Sequence, residues 1–384
     1  MNLPDGWQYY DLGELLSYEQ PTKYIVESTD YRDDYETPVL TAGKTFVIGH
    51  TNETKGIYTS LPAIIFDDFT TASQYVNFKF KVKSSAMKIL KTNENVAVIK
   101  FLYYMMQIID CEHSTHKRYW IQTYSKYKIP LPPLSMQEHI VSKIDELFSE
   151  IDKGAEALRK TKEQLKIYRQ AVLKEAFEGV INDARIPSLR IKDTCNEVKV
   201  GIVIKPAQYY TDSRGVKAFR SANVREFLVN DIDWVYLTPE GHQKNKKSEV
   251  HSGDVLIVRS GYPGTACVVS SKFDGCNAID ILIAVPNTKL VTPEYLCAFT
   301  NSPFGKKLVR EKKRGVAQSH LNVGGYSDIH ISIPPLGLQS EIVMKIEKKL
   351  SDCEYLERTV NQAIIMAERL KQSILKKAFE GKLL

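Results

Sequence analysis

Residues 129–144 read IPLPPLSMQEHIVSKI, and residues 331–346 read ISIPPLGLQSEIVMKI. The second stretch begins 202 positions after the first. Another matching pair, LKEAFEG at residues 173–179 and LKKAFEG at residues 375–381, has the same offset of 202. The segment between the two motifs therefore has one fixed length in both copies, although its sequence differs. A fixed length with a drifting sequence indicates a rod that holds two parts of the chain apart.

The first of these segments has the pattern of a coiled-coil helix. Pro132 and Pro133 keep the preceding chain extended, and Ser135–Glu138 spells a capping box. We predict a helix over residues 136–178 that ends near Gly179 and is about 64 Å long. Apolar residues recur in it every seven positions, which is typical of helices that pair. The residues predicted to pair are Ile144, Ile151, Leu158, Leu165 and Val172, with Ile140, Leu147 and Tyr168 beside them.

The second segment repeats this pattern. Its predicted pairing residues are Ile346, Cys353, Val360, Ala367 and Ile374, flanked by Ile342, Leu356, Ala363 and Leu370. Neither apolar stripe is wide enough to stabilise a lone helix, so each helix needs a partner. We expect the two copies to pair with each other; an unrelated long helix or a homodimeric coiled coil remains an alternative. A pseudo-twofold relation between the repeats predicts antiparallel helices with the two globular blocks at opposite ends.

The remaining sequence predicts an α+β protein with two mixed α/β blocks. The predicted domains are residues 1–135, a central helix over 136–180, residues 181–337, and a C-terminal helix over 338–384. Both blocks are expected to pass from strands through a helix to a basic loop and the Pro-Pro pair. The predicted strands are Phe46–Ile48, Ala63–Phe66, Val76–Val82, Val255–Val258 and Ala278–Val285, and the predicted helices are Asn93–Ile109 and two that begin at Pro293 and Pro303.

Charge and cysteine usage narrow the classes of protein further. Residues 79–128 hold ten Lys or Arg against three acidic residues, and residues 180–337 hold 21 against 15. Basic faces on both blocks suit a polyanionic partner, and they are equally typical of a solvated surface. The six cysteines show no CxxC spacing, and neither a signal peptide nor a membrane-spanning run is visible. These features predict a cytoplasmic protein with reduced thiols.

The sequence contains no complete catalytic or metal-binding motif. Thr41–Thr45 reads TAGKT but has Pro38 where a phosphate-binding loop needs glycine. Cys111–His116 has the residue types of half a metal site, without a second half at zinc-type spacing. Ser260–Gly264 reads SGYPG and lacks the order of a nucleophile elbow. We therefore predict neither a catalytic site nor a metal site in this chain.

The duplicated Pro-Pro-Leu-x-x-Gln and Ala-Phe-Glu-Gly motifs, with Leu3–Trp7 at the start and Gly253–Ile257 in the second block, make the chain resemble the specificity subunits of type I restriction–modification systems. The resemblance implies two target-recognition domains, each of which reads half of a split site in double-stranded DNA. It also implies that the helices act as a ruler and dock two methyltransferase subunits, through which restriction subunits join. No catalysis is then expected here, with AdoMet, ATP and Mg²⁺ bound by the partner subunits.

Candidate DNA contacts are polar side chains in loops. Side chains able to form two hydrogen bonds suit base edges, whereas isolated cations suit phosphates, and turn chemistry or a solvated face is the alternative for each. The base-reading candidates are Arg220, Asn223, Arg259, Gln318 and Asn322 in the second block, and Lys44, Asn52, Ser84 and Ser85 in the first. The phosphate candidates are Lys79, Lys81, Lys83, Lys117, Arg118, Lys312, Lys313 and Arg314.

Three functions remain open on the sequence alone. The first is DNA recognition as the resemblance implies. The second is a coiled-coil scaffold with two ligand-binding heads and no DNA. The third is an enzyme with an unrecognised nuclease or methyltransferase centre. One departure from the family pattern is that the second block begins with Ile186–Leu189 and lacks a counterpart of Trp7, so its first strand is expected to dock differently.

Overall fold

The structure is a computed structural model that describes residues 3–43, 45–111, 118–314 and 320–384, with only the helical backbone for Lys313 and Arg314. The chain divides into two compact units. Unit 1 consists of residues 1–159 and 361–384, and unit 2 consists of residues 160–360. Each unit therefore contains one globular block and a part of each long helix.

Unit 1 is built from short strands and three short helices around one end of each long helix. Its strands are β1 (Gln8–Asp11), β2 (Leu16–Glu19), β3 (Thr37–Leu40), β4 (Val47–Thr51), β5 (Ala63–Asp67), β6 (Ser73–Val76), β7 (Lys81–Val82), β8 (Met87–Thr92) and β9 (Lys128–Leu131). Its short helices are α1 (Leu12–Leu15), α2 (Ile99–Met106) and α3 (Tyr119–Gln122). The first long helix, α4 (Leu134–Asn182), begins in unit 1 and ends in unit 2.

Unit 2 repeats this plan with a few additional elements. Its strands are β10 (Ser188–Arg190), β11 (Cys195–Val200), β12 (Tyr210–Thr211), β13 (Val216–Phe219), β14 (Val224–Arg225), β15 (Leu228–Val229), β16 (Val235–Leu237), β17 (Val255–Val258), β18 (Ala266–Val268), β19 (Asn277–Ala278), β20 (Ile281–Pro286) and β21 (His330–Ser332). Its helices are α5 (Ile191–Thr194), α6 (Pro239–Lys244), α7 (Pro293–Asn301), α8 (Pro303–Arg314), α9 (Val323–Ser327) and the first part of α10 (Leu336–Phe379).

The two units share one sheet topology. The main sheet has the order β2-β8-β5-β6 in unit 1 and β11-β20-β17-β18 in unit 2, and all its pairings are antiparallel. A smaller sheet contains the parallel pair β3–β7 in unit 1 and β13–β19 in unit 2. The first strand pairs with the last one in both, as β1–β9 and β10–β21. The expectation that the first strand of the second block docks differently is therefore wrong; β10 pairs as β1 does without a tryptophan beside it.

The long helices run antiparallel in each unit. In unit 1, Asp152 of α4 pairs with Lys371 of α10 at 2.5 Å, and Arg159 lies 4.0 Å from Glu368. In unit 2, Arg169 lies 4.0 Å from Glu354, and Glu175 pairs with Lys349 at 3.0 Å. Along α4 the residue numbers rise while those of their partners on α10 fall. Within each unit, the beginning of one helix therefore lies against the end of the other.

The residues of the predicted seam are buried or half-buried throughout. Those that are buried include Ile144, Leu165 and Val172 on α4, and Ile346, Cys353, Val360 and Ile374 on α10. Ile151, Leu158 and Ala367 are half-buried. Three neighbours assigned to the flanks of the seam, Tyr168, Leu356 and Leu370, are instead exposed, because the contact stripe is narrower than the sequence predicted.

The helix boundaries differ from the prediction. Helix α4 begins at Leu134, so Ser135 lies inside it and does not form the predicted capping box. Gly179 also lies inside α4, which continues to Asn182, whereas Gly381 follows α10 with a φ of +70° that suits glycine. The continuation of α4 past Gly179 was not predictable, because a helix tolerates glycine where tertiary packing continues.

Three elements of the globular blocks are also corrected. Residues 76–82 form no single strand, because β6 ends at Val76 and β7 begins at Lys81. The helix predicted from Asn93 begins only at Ile99, with Val98 at its N-cap position. Residues 278–285 are divided between β19 and β20 by Asp280, whose φ of +52° breaks the extended chain. The strands over Ala63–Phe66 and Val255–Val258 and the helices that begin at Pro293 and Pro303 are confirmed.

A buried glutamine explains why the Pro-Pro-Leu-x-x-Gln motif recurs. In unit 1 the Gln137 side chain accepts from Val98 N–H at 2.8 Å and donates to the carbonyls of Val96 and Pro132 at 3.3 and 2.9 Å. In unit 2, Gln339 accepts from Thr292 N–H at 2.9 Å and donates to the carbonyls of Leu290 and Pro334, both at 2.8 Å. Both glutamines are fully buried. Each one fastens the start of a long helix to the segment that leads into a shorter helix, α2 in unit 1 and α7 in unit 2.

A buried phenylalanine explains the Ala-Phe-Glu-Gly motif in the same way. Phe379, near the end of α10, contacts Phe101 of α2, with ring centroids 5.1 Å apart in unit 1. Phe177, near the end of α4, contacts Tyr295 and Phe299 of α7 at 5.3 and 5.7 Å in unit 2. Each globular block therefore holds the start of one long helix by a glutamine and the end of the other by an aromatic ring.

Candidate nucleic-acid interface

In unit 2, loops meet where β17 ends and β20 begins. Leu321 N–H donates to the Arg259 carbonyl at 3.1 Å, and the Arg259 side chain donates in return to the Leu321 carbonyl at 3.0 Å. The guanidinium also pairs with Asp280 at 2.7 Å. Asp280 N–H donates to the Ile202 carbonyl at 3.1 Å, which brings in the loop after β11. Arg259 therefore fixes three loops to one edge of the main sheet.

In unit 1, the corresponding place is where β5 ends and β8 begins. Tyr119 N–H donates to the Asp68 carbonyl at 2.9 Å, and Trp120 N–H donates to the Asp68 carboxylate at 2.8 Å. Lys88 pairs with the same carboxylate at 3.3 Å. Asp68 N–H donates to the Ala86 carbonyl at 3.2 Å, so the turn before β8 lies there too.

The two arrangements occupy equivalent positions. Tyr119 and Leu321 are 202 residues apart, the same offset as the helix motifs. Tyr119 donates to the residue that follows β5, and Leu321 donates to the residue that follows β17. The smaller sheet ends at the same place. Just beyond its parallel strands, Lys83 N–H donates to the Leu40 carbonyl at 3.1 Å in unit 1, and Ile279 N–H donates to the Phe219 carbonyl at 2.8 Å in unit 2. We call this region the loop edge: residues 41–43, 68–72, 83–86 and 118–120 in unit 1, and residues 220–223, 259–265, 279–280 and 320–322 in unit 2.

A cationic cleft opens beside the loop edge of unit 2. It has a volume of about 760 Å³ and is lined by Ser221, Arg225, Ser260, Tyr262, Lys306 and Arg310, among others. Arg225 and Arg310 are exposed, whereas Lys306 is neutralised by an ion pair with Glu226. Two positive charges therefore line the cleft without a carboxylate paired to either among the described residues, a suitable surface for phosphate oxygens.

Of the base-reading candidates in unit 2, the structure brings Arg220, Asn223, Arg259 and Asn322 to the loop edge. Asn322 is exposed, and its side-chain oxygen caps α9 by accepting from Gly325 N–H at 2.7 Å. Arg259 is half-buried and held as described above. Arg220 donates to the Asp233 carbonyl at 2.6 Å, and its Nε is buried without a hydrogen-bond partner.

The base-reading interpretation of Asn223 is corrected by its burial. The side chain is fully buried, accepts from Arg220 N–H at 3.0 Å, and donates to the carbonyls of Asn230 and Ile232 at 3.2 and 2.9 Å. Both of its N–H groups and its oxygen are bonded inside the protein, so it shapes the turn and is inaccessible to a ligand.

In unit 1, Lys83, Ser84, Ser85 and Arg118 lie at the loop edge, and Lys83, Ser85 and Arg118 are exposed there. Asn52 is exposed but follows Thr51, which pairs with Thr37 at the far end of β3. Lys79 is exposed in the segment before β7. The phosphate interpretation of Lys81 is corrected, because this side chain is buried, pairs with Glu53 at 2.8 Å and donates to the Lys55 carbonyl at 2.7 Å.

The other candidates are only partly covered. Lys312 is exposed on α8. Lys44, Lys117 and Gln318 lie outside the described residues, as do the side chains of Lys313 and Arg314 and most of the Cys111–His116 stretch. These candidates remain predictions.

Two aromatic residues at the loop edges were missed by the sequence reasoning. Tyr262 lies in the turn between β17 and β18 and is 85% exposed, and Phe69 lies in the turn between β5 and β6 and is 45% exposed. In the sequence, the glycines around Tyr262 resemble an incomplete nucleophile motif. These glycines indicate a tight hairpin turn, because Gly261 and Gly264 have φ of +76° and +87°, which glycine adopts readily.

The described residues contain no group of three or more His, Cys, Asp or Glu able to hold a metal ion. Burial raises the pKa of the Cys267 thiol to about 12 and that of the Cys195 and Cys276 thiols to about 11. These thiols are therefore protonated at neutral pH and are poor nucleophiles. No helix in the described part of the chain is long and apolar enough to cross a membrane.

The fold defines a class of protein in which an α+β unit with a loop edge occurs twice on a pair of long helices. The family model for the type I restriction modification DNA specificity domain matches residues 4–159 and 192–365, one match for each repeat. The chain belongs to this family.

Two curated relatives are named as specificity subunits of type I restriction enzymes. The chain is 44% identical over 178 residues to the EcoR124I/EcoR124II specificity subunit of Escherichia coli, which covers 43% of this chain and 44% of that protein. It is 28% identical over 272 residues to the EcoKI specificity subunit of Escherichia coli (strain K12), with 66% and 57% covered. The matched part spans about half the length of these relatives.

Two solved structures have the same fold. One belongs to a study of complex assembly and conformational transition of the type I R-M system and matches with a TM-score of 0.74 and 18% identity over 100% of both chains. The other, the HsdS subunit from Thermoanaerobacter tengcongensis, matches with a TM-score of 0.55 and 17% identity over 100% of this chain and 99% of that chain.

Proposed function

We propose that this chain is the DNA specificity subunit of a type I restriction–modification complex. Each unit binds one half of a split site in double-stranded DNA through its loop edge, with cations on the phosphates and polar or aromatic side chains on the bases. The observation that supports this proposal is the recurrence of the loop edge in two units of one chain. Two modest half-site affinities multiply when both sites belong to one molecule.

The chain itself supplies no catalysis in this proposal. Two methyltransferase subunits dock on the long helices and bind AdoMet, and restriction subunits join through them and bring the sites for ATP and Mg²⁺. The complex works in the cytoplasm. Family membership supports these roles, as do the apolar side chains exposed on the long helices, among them Tyr168 and Tyr355.

Methylome sequencing tests the proposal directly. The chain is expressed with its methyltransferase partner in a host that lacks other DNA methylation, and modified positions are mapped. The expected result is one split motif with a spacer of fixed length. A purified complex that shows no salt-dependent binding to duplex DNA, together with the absence of a methylated motif, would favour the scaffold hypothesis. Methylation or cleavage by the chain alone would show a catalytic centre.

The role of the helices as a ruler is tested by shortening both of them. Removal of residues 156–162 from α4 and residues 363–369 from α10 takes one heptad from each and preserves the antiparallel register. At ~1.5 Å per residue we expect the spacer to shorten by about three base pairs while both half-sites stay the same. Removal of the heptad from α4 alone is the control, which mismatches the seam and abolishes specific methylation. Altered half-sites with an unchanged spacer would refute the ruler.

A further inference from the structure

The turn after β5 in unit 1 and the turn after β17 in unit 2 each carry an aromatic residue. In unit 1, Phe69 comes directly after Asp68, and in unit 2, Tyr262 comes three residues after Arg259. Asp68 and Arg259 are the equivalent residues that fix the loop edge. The two turns otherwise share neither length nor sequence, so the aromatic ring is the feature that they have in common.

Both rings are held outward on fixed backbones. The turn of Tyr262 is closed by hydrogen bonds from Gly264 N–H to the Val258 carbonyl and from Tyr262 N–H to the Ser260 carbonyl, both at 3.0 Å. The turn of Phe69 is closed by the Asp67 carboxylate, which accepts from the N–H groups of Phe69 and Thr70 at 2.8 and 3.0 Å. Because the backbone is already ordered, little entropy is lost when a ring enters a partner.

The surroundings of each ring suit a polyanion. Tyr262 shares the cleft of unit 2 with Arg225 and Arg310. Phe69 shares the loop edge of unit 1 with Lys83 and Arg118, both exposed. An exposed aromatic ring on the same surface as exposed cations fits a duplex, in which stacked bases lie between two rows of phosphates. An acidic protein surface would offer the charges without the stacking partners.

We propose that Tyr262 and Phe69 insert into DNA, each ring contacting the bases of the half-site that its own unit binds, while the adjacent cations hold the flanking phosphates. This inference rests on the proposed function. An aromatic ring that inserts at a base step partly unstacks the neighbouring bases. The free-energy cost of this unstacking depends on the sequence of the step, so each ring contributes specificity without a hydrogen bond.

The test uses the full-length chain in complex with its methyltransferase partner. Four variants are compared with wild type: Tyr262→Ala, Tyr262→Phe, Phe69→Ala and the control Tyr9→Ala. Tyr9 is exposed on β1 and is not part of the loop edge, so its replacement removes the same kind of side chain from another surface. Two quantities are measured: the dissociation constant for a duplex with the recognised site, and the base preference at every position from a library of randomised half-sites.

We expect Tyr262→Ala to weaken binding to the recognised site about tenfold, the scale of one lost base–aromatic contact. It relaxes base preference in one half-site only, and Phe69→Ala relaxes the other. Tyr262→Phe retains the wild-type preference because the ring is kept, and Tyr9→Ala leaves both quantities unchanged. 2-Aminopurine placed at the relaxed positions brightens with wild type and stays quenched with the alanine variants, since unstacking raises its fluorescence.

Each other result counts against the inference. Wild-type affinity and preference in both alanine variants would overturn it, as would equal weakening on every duplex, which would mark the rings as non-specific contacts. A failure of wild type to prefer any DNA sequence would instead overturn the proposed function, and the inference would fall with it.

Discussion

The loop edges of the two units share a main-chain hydrogen bond at equivalent positions, but the side chains at these positions have opposite charges. In unit 1 the residue after β5 is Asp68, whose charge is neutralised by Lys88. Both side chains are almost completely buried, at 5% exposed for Asp68 and 3% for Lys88. In unit 2 the equivalent residue is an arginine neutralised by Asp280, at 15% and 49% exposed. The same main-chain hydrogen bond forms in both. The side chains that brace this position can therefore be exchanged, provided that each one brings its own counter-charge.

The sharpest test of this comparison is the loss of one counter-charge from each unit. Lys88→Met leaves the Asp68 carboxylate buried without its partner, and we expect the free energy of unfolding of unit 1 to fall by about 3–5 kcal/mol. Asp280→Asn in unit 2 removes a half-exposed charge and should cost about 1 kcal/mol. Urea unfolding followed by tryptophan fluorescence separates the two, because Trp7 and Trp120 belong to unit 1 and Trp234 to unit 2.

Equal losses in the two units would contradict the assignment of different burial. The double variant Asp68→Leu with Lys88→Met adds a check. It removes both charges but leaves Trp120 N–H without its acceptor, so it should recover only part of the stability.

The second prediction concerns a feature that the units share. Gln137→Ala and Gln339→Ala each leave buried main-chain groups without partners, and we expect each to cost about 2 kcal/mol in its own unit. The control Gln164→Ala, on an exposed face of α4, should change stability by less than about 0.5 kcal/mol. Thermal and urea unfolding measure all three. Costs that differ widely between Gln137 and Gln339 would show that the two helix starts are held differently despite their matching hydrogen bonds.

The smallest expected effects come from the ion pairs between the long helices. Lys371→Met in unit 1 should cost about 1 kcal/mol, because Lys371 is 19% exposed and also lies over the Phe148 ring. Lys349→Met in unit 2 should cost less than Lys371→Met, because both partners of this ion pair are largely exposed and screened by solvent. Unfolding in 1 M salt should reduce both costs, since screening weakens exposed pairs more. A larger loss of stability for Lys349→Met than for Lys371→Met would contradict this prediction.

The long helices were predictable because their signal is periodic and occurs twice. The seven-residue recurrence of Ile144, Leu165 and Val172 requires one helical face, and the matching offset identified the partner helix. The ends of α4 were not predictable to the residue, because the buried contacts of Gln137 and Phe177, rather than capping motifs, decide where it is held.

The loop edge was predictable in outline only. Basic and polar residues before and after the strands pointed to several loops that the structure brings together, and Arg118, Lys83, Arg259 and Asn322 lie at the loop edges; their contacts with DNA stay predictions. Burial could not be predicted: Asn223 and Lys81 have the same residue types as exposed candidates, and only the tertiary neighbours show that their hydrogen bonds are used internally. Tyr262 escaped notice because a lone tyrosine in a loop carries no periodic signal.

The composition of unit 1 has a consequence for the order in which the protein takes shape on the ribosome. Unit 2 is one continuous piece of chain, but the core of unit 1 includes Ile374, Leu375 and Phe379, which are synthesised after the whole of unit 2. The block that emerges first is thus completed last, and until then Phe101 and its neighbours lack the ring that covers them. A nascent chain halted after residue 360 would hold a finished second half and an unfinished first one.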